Sequence, residues 1–91
     1  SYLVDISQAS RQHPAISLGL SPRATVQMAR AARALAASKS RDFVVPDDVK
    51  ELAVPVFAHR INVHHEYAAR GMSRTDAILD LLASVPAPSG R

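Results

Sequence analysis

The sequence predicts a small, mainly α-helical domain, a four-helix bundle with one very short two-stranded ribbon, and three observations carry that prediction. Ninety-one residues hold one modest core and cannot hold a mononucleotide fold together with a substrate domain. Hydrophobic residues make up 47% of the chain, yet 16 of them are alanine, a balance that suits close-packed helices better than a sheet. Apolar residues also recur at spacings of three and four, the helical period.

Tyr2, Ile6, Ala9 and His13 line one face of a first helix, which Pro14 ends. Ala15 to Leu20 forms a short apolar connection in which Gly19 is read as a turn of positive φ. Ser21 and Pro22 open a second helix, a hydroxyl N-cap followed by proline at the first helical position. Its expected core stripe is Ala24, Met28, Ala31 and Leu35. Residues 38–42 read as a loop, and Phe43 to Val45 as a short strand that pairs with residues 61–64.

Pro46, Asp47 and Asp48 open a third helix, where carboxylates complement exposed amides. Val45 holds the N-cap position without a hydroxyl, so one of those carboxylates has to serve the free amides instead. Val49, Leu52, Ala53 and Val56 form the buried face, and Pro55 is expected to kink or shorten the helix. Ser73, with Asp76 three residues on, starts a final helix that buries Ile78, Leu81, Leu82 and Val85 and stops at Pro86. Residues 87–91 read as a flexible tail.

Composition narrows function mainly by exclusion. Eleven Lys and Arg against eight Asp and Glu give +3, which permits an anionic ligand without requiring nucleic acid. The chain has no cysteine, hence neither disulfides nor thiolate chemistry. Its longest apolar run, Leu52 to Ala58, is interrupted by Pro55 and too short for a membrane span. The phosphate loop, the dinucleotide turn, the zinc-protease helix and the nucleophile elbow are all missing. His64 and His65 are adjacent and point different ways, so they read as solvated, and no metal site is expected. Starting at Ser1, the chain reads as an excised fragment.

Arg23 breaks a local rule. A cation in the first turn of a helix opposes the macrodipole and costs about 0.3–1 kcal/mol when exposed, and such violations often mark function. Ser21-Pro22-Arg23 joins a helix N-terminus to a guanidinium, which is an arrangement that faces phosphate. Arg30 and Arg33 continue a basic face off the core stripe, read as solvated because no aromatic side chain interleaves it.

Taken in order, Arg11-Gln12-His13-Pro14, Leu18-Gly19-Leu20-Ser21-Pro22-Arg23-Ala24, Ala31 to Ala36, Arg41-Asp42-Phe43-Val44-Val45-Pro46-Asp47-Asp48-Val49 and Ala58-His59-Arg60 resemble the C-terminal lid of MoxR-family AAA+ ATPases over residues 2–86. The resemblance implies an AAA+ lid over residues 1–86, following an ATP-binding α/β domain that lies outside these 91 residues. It makes Arg23 the sensor 2 arginine, a catalytic residue in the whole protein that reaches the phosphates of ATP. Gly19, Ser21 and Pro22 would support it by shaping the start of the helix.

The same resemblance implies ATP and Mg²⁺ as cofactors of the parent and no hydrolysis by the fragment alone. The implied partners are its own core domain, neighbouring subunits of a ring and proteins with von Willebrand factor A domains, in a cytoplasmic, chaperone-like ATPase. His59 and Arg60 match a family box, for which packing or an intersubunit contact is expected. The chain departs from the family at Leu20, where a small residue is usual, at Ser40, where glycine is common, and at Val45, where threonine is frequent. Two other readings compete with the lid. One is a free-standing DNA-binding module with histone-like helices, whose central helix would be short at about 24 Å. The other is an adaptor bundle without a ligand of its own.

Overall fold

The computed structural model describes residues 2–87. Its elements are α1 (Tyr2–Gln12), β1 (Ile16–Leu18), α2 (Pro22–Ser38), α3 (Pro46–Phe57), a 3₁₀ turn (Ala58–Arg60), β2 (Asn62–Val63), the single-turn α4 (His65–Ala68) and α5 (Arg74–Ser84). The four long helices are those that the sequence predicts. The tail reading, beyond Ala87, lies outside the described residues.

Local chemistry explains most helix ends. The Ala24 N–H donates to Ser21 Oγ at 3.1 Å, which caps α2 with Pro22 in the first turn. A reciprocal box starts α5: the Asp76 N–H donates to Ser73 Oγ and the Ser73 N–H to Asp76 Oδ2, both at 3.0 Å. At the end of α1, His13 Nδ1 accepts from the Ala15 N–H at 3.1 Å. That bond leaves the proton on Nε2, which donates to Asp80 of α5 at 2.6 Å.

α2 closes with a Schellman turn: the Ser40 N–H donates to the Ala37 carbonyl and the Arg41 N–H to the Ala36 carbonyl, both at 3.0 Å. Ser40 therefore holds a left-handed φ of 62°, which a side chain disfavours by roughly 1–2 kcal/mol. Ser40→Gly is expected to stabilise the domain by about 0.5–1 kcal/mol, the relief being partly offset by the freer unfolded chain. Urea denaturation checks this, and an unchanged or lower midpoint contradicts it.

The ribbon corrects the sequence reading. β2 pairs antiparallel with β1, Ile16 opposite Val63 and Leu18 opposite Asn62, while residues 43–45 form no strand. Phe43 is 54% exposed, so its apolar run does not mark a buried strand. The α2 stripe also shifts. Ala24, Met28, Ala32 and Ala36 are the buried residues, and Ala31 and Leu35 are half-buried. A spacing of four drifts about 40° per step, which suits a helix that packs against both α1 and α3.

In α1 the buried face is Tyr2, Ile6, Ser7 and Ser10, with Ala9 only half-buried. Pro55 neither ends α3 nor stops it short of Phe57. The proline is exposed, so the carbonyl four residues earlier loses its helical donor on a face that water reaches. Val49, Ala53 and Phe57 are buried there, and Leu52 and Val56 are partly buried. In α5, Ala77, Ile78 and Leu81 are buried, together with Val85 just beyond it, and Leu82 is half-buried. The core joins these faces to Leu20 and Ile61, each 1% exposed.

Candidate anion-binding edge

The edge is built where β1 leads into α2. Gly19 supports it in a different way from the one its sequence position suggests. Its φ is not positive, since Gly71 and Ser40 are the residues so recorded among those described. Instead the backbone of α1 passes against it: a Cβ at Gly19 would lie 2.9 Å from Arg11 Cγ and 3.0 Å from Arg11 Cα and N. Gly19→Ala is expected to cost about 1–3 kcal/mol through overpacking, read as a lower thermal midpoint; an unchanged midpoint would show that α1 yields freely.

Leu20, the next residue, is buried, and its N–H donates to the buried Ser10 hydroxyl at 2.9 Å. Two anchors therefore fix the chain just before Ser21. Ser21 and Pro22 are exposed, and the Ser21 hydroxyl is committed to the Ala24 amide. Pro22 has no N–H. The amide left open in this turn is that of Arg23, so the cap narrows the set of free amides that the sequence suggests.

Arg23 is the second residue of α2 and is exposed. Among the described residues its guanidinium makes no hydrogen bond or ion pair. This contrasts with Arg11, whose Nη2 donates to Ser7 Oγ at 3.1 Å, and with Arg74, whose Nη2 donates to Asn62 Oδ1 at 3.2 Å. Beside this edge, Pro22, Thr25 and Val26 of α2 face Val4, Ser7, Gln8 and Arg11 of α1 across a groove of about 310 Å³. A cavity of about 390 Å³ lies further along α2, between Leu3, Ala29, Ala36, Phe43 and Val44. Arg23 lines neither.

Of the two carboxylates expected to cap α3, Asp48 serves the N-terminal amide and also holds an ion pair. Arg41 Nη1 and Nη2 donate to Asp48 Oδ2 and Oδ1, both at 2.7 Å. The Val45 N–H adds a third bond to Oδ2 at 2.9 Å, the service expected of a carboxylate where the N-cap has no hydroxyl. The Asp48 side chain is fully buried. The Arg41 bonds, and after them the Val45 amide, hold its pKa well below the usual carboxylate range. Arg41 also donates to the Phe43 carbonyl at 3.0 Å and lies over the Phe43 ring, 5.8 Å from its centre. Asp47, by contrast, is exposed at the first turn. The signal for the ion pair was present in the Arg41-to-Asp48 box, where both charges flank one tight loop.

His59 and Arg60 are exposed in the 3₁₀ turn, so packing inside this domain does not account for them. His64 and His65 are exposed at the start of α4, and among the described residues no group of three or more His, Asp or Glu is placed to hold a metal. Among those residues, too, no helix is long and apolar enough to cross a membrane.

Comparison with known proteins places this geometry in context. A family model described as the AAA lid domain matches residues 8–81. The chain is 37% identical over 90 residues to the uncharacterized protein YeaC of Bacillus subtilis, covering 99% of this chain and 28% of that protein. It is 39% identical over 72 residues to protein MoxR of Paracoccus denitrificans, covering 78% and 21% respectively. To chaperone MoxR1 of Mycobacterium tuberculosis it is 36% identical over 73 residues, covering 80% and 19%. In three dimensions it resembles the crystal structure of a "putative ATPase" from Cytophaga hutchinsonii with a TM-score of 0.86 and 31% identity, over 97% of this chain and 29% of that one. The chain thus spans less than a third of the length of each of these proteins. These matches give no support to a histone-like DNA-binding module.

Proposed function

The chain belongs to the AAA lid domain family, with MoxR-like relatives, and on that premise we propose that residues 1–86 form the lid of an ATPase whose nucleotide sits against Arg23. The observation that carries this reading is an exposed cation, without a partner among the described residues, at a helix start held by a buried anchor and a hydroxyl cap. An exposed guanidinium beside a free amide suits a phosphate group, through two parallel charged hydrogen bonds.

In this reading Arg23 is the sensor 2 arginine, and Gly19, Ser21 and Pro22 set the direction from which it approaches. The guanidinium favours negative charge developing on the transferring phosphoryl group, and losing that charge removes the contact that holds the lid down. Bound ATP with Mg²⁺ supplies the reacting phosphates and the counter-charge that the metal contributes. In this reading the lid brings a positioned cation, and hydrolysis belongs to the parent protein.

The wider setting follows the same reading: a core domain beneath the lid, a ring of subunits around it, and a chaperone-like, cytoplasmic role acting on partner proteins, those with von Willebrand factor A domains among them. ATP turnover by the full-length protein carrying Arg23→Ala tests the reading, with circular dichroism to show that the lid stays folded. Turnover at the unsubstituted rate rejects it.

A further inference from the structure

Phe43 and Val44 turn apolar surface outward, 54% and 37% exposed, where they wall the cavity of about 390 Å³ on the C-terminal half of α2. Leu3, in the first turn of α1, lines it too. On α2 the lining includes Ala29, Ala32 and Ala36, small side chains at spacings of three and four that let a second helix approach closely. The wall is fixed in place. Arg41, held by Asp48 through two bonds of 2.7 Å, donates to the Phe43 carbonyl and lies over its ring. Apolar side chains that a fixed loop directs outward mark a surface that something covers.

The direction of α1 identifies the cover. At one end of the α1–α2 pair the Leu20 N–H donates to Ser10 Oγ, and the backbone of Arg11 passes against Gly19, just before α2 begins. At the other end Leu3 shares the cavity with Ala29, Ala36 and Ala37. α1 is therefore antiparallel to α2, and its N-terminus points towards the C-terminal end of α2. With 11 residues against 17, α1 is the shorter by about 9 Å. The length of α2 that it leaves uncovered is the stretch that lines the cavity.

A small ligand would find little there to orient it. The charged side chains of the lining are Arg33, Arg41 and Asp42, and Arg41 is committed to Asp48 and to the Phe43 carbonyl. Arg33 and Asp42, of opposite sign, are both exposed. An apolar cleft with exposed charges beside it suits an amphipathic helix, apolar towards α2 and polar towards water.

We propose that this cleft is the seat of the segment that leads into α1 in the parent protein, which continues the α1 helix by about two turns along α2 and against Phe43 and Val44. Apolar side chains three or four, and seven or eight, residues before Leu3 fill the cavity, the positions that share its helix face. The inference rests on the lid reading in one respect, that a domain precedes this chain. The seat makes the lead-in helix part of the lid. The pivot about which the lid moves with nucleotide state then lies before that helix, at its junction with the preceding domain.

The test uses the full-length protein, with any cysteines of its own replaced, carrying Phe43→Cys or Val44→Cys. A maleimide is expected to label each thiol at least about tenfold more slowly in the native protein than in urea, because the seat must open first. A short bismaleimide should join Val44→Cys to a second cysteine scanned through the roughly eight residues before Ser1, within one chain and at positions three or four apart. Native labelling of both thiols within about twofold of the rate in urea overturns the seat. So does protection with crosslinks that join two chains or reach none of the scanned positions, since another surface then covers the cleft. ATP turnover by Arg23→Ala reads the lid proposal separately. If the seat fails while that variant loses turnover, the lid reading stands; if the crosslinks form while turnover is unchanged, the seat stands and the sensor reading falls.

Discussion

Under the proposed lid function, Arg23→Ala in the full-length protein is expected to lower the kcat of ATP hydrolysis by roughly 100-fold, the usual loss on removing one preorganised charge from a phosphoryl- or acyl-transfer site. The fall should lie mainly in kcat, because the group is worth most where negative charge develops. Arg23→Lys should recover only part of the rate, since an ammonium carries the charge without the two-pronged geometry. The lid itself should be no less stable. Among the described residues the Arg23 guanidinium bonds to nothing, and a cation is removed from the unfavourable end of a helix. A lowered thermal midpoint together with unchanged kcat would assign Arg23 to the fold and end the sensor reading.

Asp48→Ala is expected to cause the largest loss of stability of any single change considered. It leaves the Arg41 guanidinium, which is 24% exposed on its side chain, without the carboxylate that takes two of its bonds. It also opens a gap where a wholly buried side chain had been, and it strands the Val45 amide. Breaking a buried pair from one side is among the most damaging classes of substitution. A fall in thermal midpoint of at least about 10 °C is expected for a domain of this size. Asp48→Asn should fall less, because the amide oxygen still accepts one bond. A midpoint within a degree or two of the original for both variants would show that the pair contributes nothing.

The pH dependence has a definite sign. Arg41 and the Val45 amide hold the folded-state pKa of Asp48 below its unfolded value. The stability it contributes is therefore present above the unfolded carboxylate pKa, near 4, and is lost progressively as pH falls below about 4 towards the folded pKa. Asp76, lowered by the Ser73 backbone amide and then by the Ser73 side chain, acts in the same direction. Denaturation of the original chain and of Asp48→Asn, followed from pH 7 to pH 2, should show the two stabilities converging in acid. Parallel curves would contradict the assignment.

What the sequence determined by itself is what short-range chemistry controls. Ser21-Pro22 starts α2, Ser73 with Asp76 starts α5, Pro86 follows its end, and apolar spacings of three and four mark the long helices. In each case the groups that interact lie within one helical turn of one another. The candidate cation Arg23 was legible for the same reason, as a charge at the wrong end of its own helix.

The tertiary structure alone decided the features that depend on residues far apart in the chain. Residues 16–18 rather than 43–45 pair with 62–63, a long-range pairing that β-branched composition does not specify. Gly19 is needed for the close approach of α1, which no local φ preference reveals. The α2 stripe passes to Ala32 and Ala36 because two neighbouring helices share that surface. Asp48 became a buried ion partner only once the loop folded Arg41 over it. Each of these is settled by which surfaces exclude water from one another, and hydrophobic spacing along one segment says that a face is buried without saying what buries it.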